Sequence, residues 1–210
     1  MVSGRRPTAI FFQSILGLMV DPARRRATYE DVLAAPPLLV AEVIDGTLYT
    51  HPRPAVPHAF ATSSLGMDLG SAFQRGRGGP GGWWILDEAE LHLGVAPDIL
   101  VPDIAGWRVE RMPQPPTTAF ITIPPDWLCE VLSESTRRMD RVQKMRVYAR
   151  ERVPHVWHVD PIAQTLEVFR LDGETYRLVA MHEAAEIPRV EPFEAIELEL
   201  TALWGKPANP

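Results

Sequence analysis

The chain has one cysteine, Cys129, in 210 residues, so no disulfide can form within it and a small secreted fold held by bridges is excluded. A reducing cytoplasm is the simplest setting, and Cys129, set in an apolar run, reads as a core residue. Positive charge is also short: 21 Lys and Arg stand against 27 Asp and Glu, a formal net charge of −6. That argues against a protein that coats nucleic acid through a broad basic surface, because neutralised phosphates supply non-specific affinity. A polyanion would have to be met by a local basic groove. No apolar run is long enough for a bilayer, which takes about 20 residues. The stretch from Ala9 to Val20 follows Arg5-Arg6, but Gln13 and Ser14 interrupt it and its small-residue cleavage pattern is poor, which argues against a signal peptide. The glycine-rich stretch from Arg75 to Gly82 lacks the lysine and hydroxyl of a phosphate-binding loop and reads as flexible punctuation. No internal repeat is visible.

What is present fits one domain: 46% hydrophobic residues can fill a single core, and 23% charged residues is ordinary for a globular chain. Residues 1–26 read as a flexible N-terminal extension, 27–204 as the domain and 205–210 as a flexible tail. Thr28 caps a short helix over Tyr29 to Ala35, stopped by Pro36-Pro37. Leu38 to Ile44 and Thr47 to His51 are strands joined by Asp45-Gly46, which accepts the positive φ angles of a two-residue turn. His58 to Gln74 has helical spacing. Trp83 to Leu93, Ile99 to Trp107 and Trp127 to Leu132 read as strands, with a proline-rich loop from Met112 to Pro125 between the last two. A helix follows over Thr136 to Arg152, then strands His155 to Val159, Thr165 to Leu171 and Thr175 to Met181, the last pair joined by Asp172-Gly173. The expected class is α/β with a mixed central sheet, flanking helices and a C-terminal β-hairpin.

Three of these strands each carry one carboxylate in an apolar run: Glu42 in Val40–Ile44, Asp103 in Leu100–Ile104, and Glu130 in Leu128–Leu132. An unpaired buried carboxylate costs several kcal/mol, so each acid should be paired, solvated at a strand end, or bound to a cation. For any one of them a solvated strand face is the simpler reading; for all three together a metal site accounts better. Oxygen-only donors such as Asp103 and Glu130 suit Mg²⁺, with Mn²⁺ as a substitute. His155 and His158 are three apart on a strand, point to opposite faces and are not expected to chelate together. Pro97-Asp98 offers a second aspartate, but it stands at a strand entrance, so Asp103 is preferred.

The segments Ala27-Thr-Tyr-Glu-Asp-Val-Leu, Glu42-Val-Ile-Asp-Gly-Thr-Leu, Val101-Pro-Asp-Ile, Glu130-Val-Leu-Ser, Asp140-Arg-Val-Gln-Lys, Tyr148-Ala-Arg and Val159-Asp-Pro, in this order and spacing, resemble the Uma-two family of endonucleases. That family is a branch of the restriction-endonuclease-like PD-(D/E)XK superfamily, and the resemblance covers about Ala27 to Trp204. It implies a restriction-endonuclease-like core and a site of Glu42, Asp103, Glu130 and Lys144, with Mg²⁺ on Asp103 and Glu130. It also implies DNA as substrate and no membrane, and a homodimer would suit cleavage of both strands. The superfamily's usual lysine position is Leu132 here, and the family resembled places its lysine on the next helix, at Lys144. The chain departs from the family pattern at Glu134 and Gln143, which leaves room for a catalytically silent binding or regulatory module. A wheel at roughly 100° per residue groups Lys144 with Arg137, Arg141 and Tyr148, away from Val142 and Ala149. Periodicity alone therefore gives Lys144 a surface pair with Asp140. Arg137, Arg138 and Arg141 are candidates for tracking a DNA backbone. Cys129 as a nucleophile ranks low, with no base near it in sequence.

Overall fold

The computed structural model describes residues 25–205, so most of the expected N-terminal extension, with the apolar stretch from Ala9 to Val20, and nearly all of the expected tail lie outside the described residues. The chain runs α1 (Tyr29–Leu33), β1 (Leu39–Ile44), β2 (Thr47–Pro52) and α2 (Val56–Leu69), which continues as a π-wound turn over Gly70–Gln74. Then come β3 (Trp83–Asp87), β4 (Leu91–Leu93), β5 (Asp98–Leu100), β6 (Ile104–Arg108) and β7 (Trp127–Val131). The next helix, α3, is π-wound over Met139–Lys144 and α-helical over Met145–Arg150. It leads into β8 (His155–Asp160), β9 (Thr165–Asp172), β10 (Thr175–Glu183) and a closing 3₁₀ turn, Leu200–Trp204.

The expected α/β class holds, but the strands form two sheets rather than one: β2-β1-β5-β4 and β10-β9-β8-β7-β6-β3. Among the strands of the described residues, β7 and β8 alone pair in parallel, across the α3 crossover, in keeping with the length such a connection needs. Two stretches expected to be single strands are each broken between the sheets. One break falls at Glu88, where φ is +45°. The other falls at Val101 to Asp103, where Pro102 has no N–H to give a ladder. Asp103 is therefore not inside a strand; it sits where the chain passes from the small sheet to the large one.

The hairpin at Asp45-Gly46 is as expected, with φ of +50° and +73° at the two turn residues and Ile44 facing Thr47. The second hairpin turns one residue later than expected, because Asp172 pairs with Thr175 and the loop is Gly173-Glu174.

The large sheet is covered on both faces. Trp127, Cys129 and Val131 of β7, with Trp157 and Val159 of β8, face α2 and the C-terminal segment around Phe193 and Leu203. Leu128 and Val156 face the other way, against the small sheet and Val147 and Tyr148 of α3. This period-2 alternation puts Glu130 on the Leu128 face, under α3. The long loop between β6 and β7 is pinned by two indoles: Trp84 donates to the Met112 carbonyl at 2.8 Å and Trp107 to that of Ile123 at 2.9 Å.

Gly106 on β6 sits at a close approach of its neighbours. A Cβ there would lie 3.1 Å from Ile85 and 3.2 Å from the Trp127 ring. Gly106→Val is expected to destabilise the fold by about 1–3 kcal/mol, as overpacking does, measured by urea unfolding; an unchanged midpoint would show that these rings yield freely.

Candidate active site

Lys144 is the centre of the site. Its side chain is 3% exposed, and its ammonium lies 3.0 Å from Glu42 Oε1, 3.3 Å from Glu130 Oε1 and 3.3 Å from Asp140 Oδ1. Each acid comes from a different part of the chain. Glu42 stands on β1, where its Oε1 also accepts the Val101 N–H at 2.8 Å. The hairpin register sets Val40 opposite His51, so His51 reaches diagonally to Glu42 Oε2 at 3.0 Å. Glu130 on β7 accepts the Tyr148 hydroxyl at 2.5 Å. Asp140 lies one turn before Lys144 on α3.

The surface pair expected between Asp140 and Lys144 is thus a buried one, and α3 carries Asp140, Lys144, Val147 and Tyr148 inward. Val142, which an apolar period would turn inward, is 42% exposed. Two causes account for the difference. The inward face is largely polar, so hydrophobic periodicity cannot find it, and the segment up to Lys144 is π-wound, so a wheel at helical spacing does not apply.

Asp103 lies beside this group. Its Oδ2 accepts the Val131 N–H at 2.7 Å, and its Oδ1 is 3.1 Å from His58 Nε2 on α2. Asp103, Glu130, Asp140, Lys144, His51 and His58 all line one open cleft of about 440 Å³. Glu42 is fully buried behind them. Asp98, the alternative aspartate, is elsewhere, bonded to the Arg150 guanidinium and accepting the Asp45 N–H at 2.6 Å. Cys129 points into the opposite, apolar cluster, and burial, with the nearby Asp103 and Glu130 charges, pushes its thiol well above its usual range. A nucleophilic thiolate has no support there. Of the three arginines, Arg137 pairs with Asp160 at 2.7 Å and Arg141 with Glu167 at 2.8 Å; Arg138 forms no ion pair among the described residues.

The electrostatics are lopsided, with several acids around one lysine. Burial pushes the Glu130 carboxyl well above the carboxylate range; Lys144 opposes this, but Asp140, Asp103 and Glu42 add to it. Asp140 is raised chiefly by burial. Glu42 is lowered, because Lys144, His51 and the Val101 N–H together outweigh its burial. Burial alone would lower Lys144, yet Glu130, Glu42 and Asp140 raise it well above its usual value, so it stays charged.

His51, His58, Asp140 and Tyr148 were not singled out by sequence reasoning as site residues. His51 was legible, since the Asp45-Gly46 turn fixes the register that brings it to Glu42. His58 heads the buried stripe Ala61, Leu65 and Leu69 of α2, a position at which a histidine is worth noticing.

The fold is that of a solved structure from Anabaena variabilis described as "a putative nuclease belonging to DUF820", with a TM-score of 0.68 and 21% identity, covering 84% of this chain and 97% of that one. At that identity the likeness establishes the mixed α/β architecture. The chain itself belongs to the Uma2 family, described as "Putative restriction endonuclease", whose profile matches residues 22–202. No curated protein matches it.

Lys144→Met is expected to lower stability by about 3–5 kcal/mol near neutral pH, the cost of leaving buried acids unpaired. Because Glu42 is held below its ordinary value of 4.5, its contribution is present above that pH and is lost as the pH falls through the lowered value. The gap between wild type and variant should therefore narrow in acid. Urea unfolding at pH 7 and at steps from pH 4.5 downward would show it, and a gap that does not change over the series would contradict this assignment.

Proposed function

We propose that the chain is a Mg²⁺-dependent endonuclease that hydrolyses phosphodiester bonds in DNA, with Asp103 and Glu130 as metal ligands and Glu42 and Lys144 completing the site. The observation that carries this reading is a buried, charged lysine among acids at the floor of a cleft that is open to solvent.

The residues fit the ion. The acids that line the cleft, Asp103, Glu130 and Asp140, offer carboxylate oxygens, the hard donor Mg²⁺ prefers. Asp140 Oδ1 is buried with the Lys144 ammonium at 3.3 Å and no hydrogen bond besides, and the acids outnumber the cations around them. Among the described residues no group of three or more His, Cys, Asp or Glu side chains is arranged to hold a metal. The reading therefore uses two carboxylates and leaves the other positions to water and substrate phosphate, which is how Mg²⁺ is commonly held.

Bound there, the ion would supply a polarised water and stabilise charge on the phosphodiester. The chain's own groups do the rest. Glu42, fixed by His51 and the Val101 N–H, holds the Lys144 ammonium in place. Lys144 faces the cleft and offsets charge developing on the phosphorus oxygens, exchanging one of its longer 3.3 Å contacts, to Glu130 or Asp140, for substrate. Arg137 and Arg141 are engaged with largely buried acids; Arg53 at the cleft rim, with only an exposed 3.5 Å pair to Glu88, and Arg138 are left to meet the DNA backbone.

One observation favours the silent binding module: all the contacts Lys144 makes are to its own acids. Metal binding without turnover would mark that case. No helix among the described residues is long and apolar enough to cross a membrane. A homodimer and a cytoplasmic setting remain part of the proposal.

Purified protein is expected to nick or cleave DNA with Mg²⁺ or Mn²⁺ and to lose at least about 100-fold in rate in both Asp103→Asn and Glu130→Gln, the scale of losing a principal electrostatic group. Cleavage that persists in both variants, or in EDTA, would overturn the site.

A further inference from the structure

We propose that His58 is the positioning residue for Asp103, holding that carboxylate in the one orientation in which it can take a cation from the cleft. The inference rests on the metal reading of Asp103 and adds to it a residue from a separate element, α2.

Asp103 sits where the chain crosses between sheets, outside any ladder, so the strand pairing does not fix its side chain. Two contacts do. The Val131 N–H reaches Oδ2 from β7 at 2.7 Å, and the His58 imidazole reaches Oδ1 from α2 at 3.1 Å. Held at both oxygens by groups on two different elements, the carboxylate cannot turn about its Cβ–Cγ bond without breaking one of them. An ionised carboxylate has about four lone-pair sites; the Val131 N–H takes one, the His58 ring nitrogen lies against Oδ1 as a close polar contact, and lone pairs remain for the cleft that Asp103 lines.

The imidazole is itself held. His58 is 8% exposed and lies within the first turn of α2, whose buried stripe anchors it to the large sheet. The Thr62 hydroxyl, one turn on, donates to the His58 carbonyl at 3.0 Å and lies 3.5 Å from Nδ1, leaving Nε2 to face Asp103. A histidine buried only for packing would not need its ring nitrogen aimed at a cleft-lining acid. Carboxylates that bind metals are themselves hydrogen-bonded, and loss of such an outer partner weakens metal binding by roughly 10–100-fold.

The test is Mn²⁺ titration by calorimetry of the wild-type chain, Asp103→Asn, His58→Ala and His58→Gln, with urea unfolding of each. His58→Gln keeps an N–H close to the place of Nε2. Wild type should bind Mn²⁺ and Asp103→Asn should not. His58→Ala should bind roughly 10–100-fold more weakly, and His58→Gln should recover most of that loss although both variants lack the ring. A merely structural histidine would give Ala and Gln variants that fall together in affinity and in urea midpoint. Wild-type affinity in His58→Ala, or no recovery in His58→Gln, overturns the role of His58 alone. Absence of Asp103-dependent Mn²⁺ binding in the wild type overturns the metal reading and this inference with it.

Discussion

The structure turns on one buried cation. Taking an ammonium and its partner carboxylates out of water costs several kcal/mol per ion, and that cost is offset only when the geometry is good and the remaining lone pairs are met. Lys144 has its acids at 3.0 to 3.3 Å, and the oxygens of Glu42 and Glu130 are further held by His51, the Val101 N–H and Tyr148. No local segment could assemble this group. The hairpin brings Glu42, the central strand of the large sheet brings Glu130, and the crossover helix brings Asp140, Lys144 and Tyr148. The two sheets and α3 must dock together for any of these charges to be compensated, so the site and the fold share one constraint.

That constraint also explains where local rules give way. The π winding of α3 ends at Lys144, and such segments occur mostly as short insertions, frequently at functional sites. The break at Pro102 releases Asp103 from any ladder and lets it stand between the sheets, held by β7 and α2 instead. Regular backbone pairing changes at both places, and both places line the cleft. In β7 and β8, at the middle of the large sheet, tryptophans and aliphatic side chains alternate face to face.

The sequence showed these features unevenly. Apolar alternation in Trp127–Val131 and the Asp45-Gly46 turn carry their structure locally, so the strands and first hairpin could be read directly, and Glu42 and Glu130 stood out as acids among apolar neighbours. The family resemblance was legible in seven short segments and is now established. The division into two sheets was not, because Trp83–Leu93 and Ile99–Trp107 each look continuous and only Pro102 hints at a break. Lys144 was placed at the site by resemblance while the apolar period pointed elsewhere, since an inward face made of Asp140, Lys144 and Tyr148 carries almost no hydrophobic signal. Asp140 was hidden by the unusual winding of its helix turn, and His58, though placed at the head of a buried stripe, gave no sign in the sequence of its partner Asp103.

Asp103 and Glu130 both line the cleft beside Lys144, and the role assigned to them is to hold a divalent cation. The most direct measurement is anomalous X-ray scattering from crystals soaked in Mn²⁺. The expected result is a single strong peak in the cleft within bonding distance of oxygens of both Asp103 and Glu130. A cleft with no peak at saturating Mn²⁺, or a peak that neither carboxylate touches, would contradict the account.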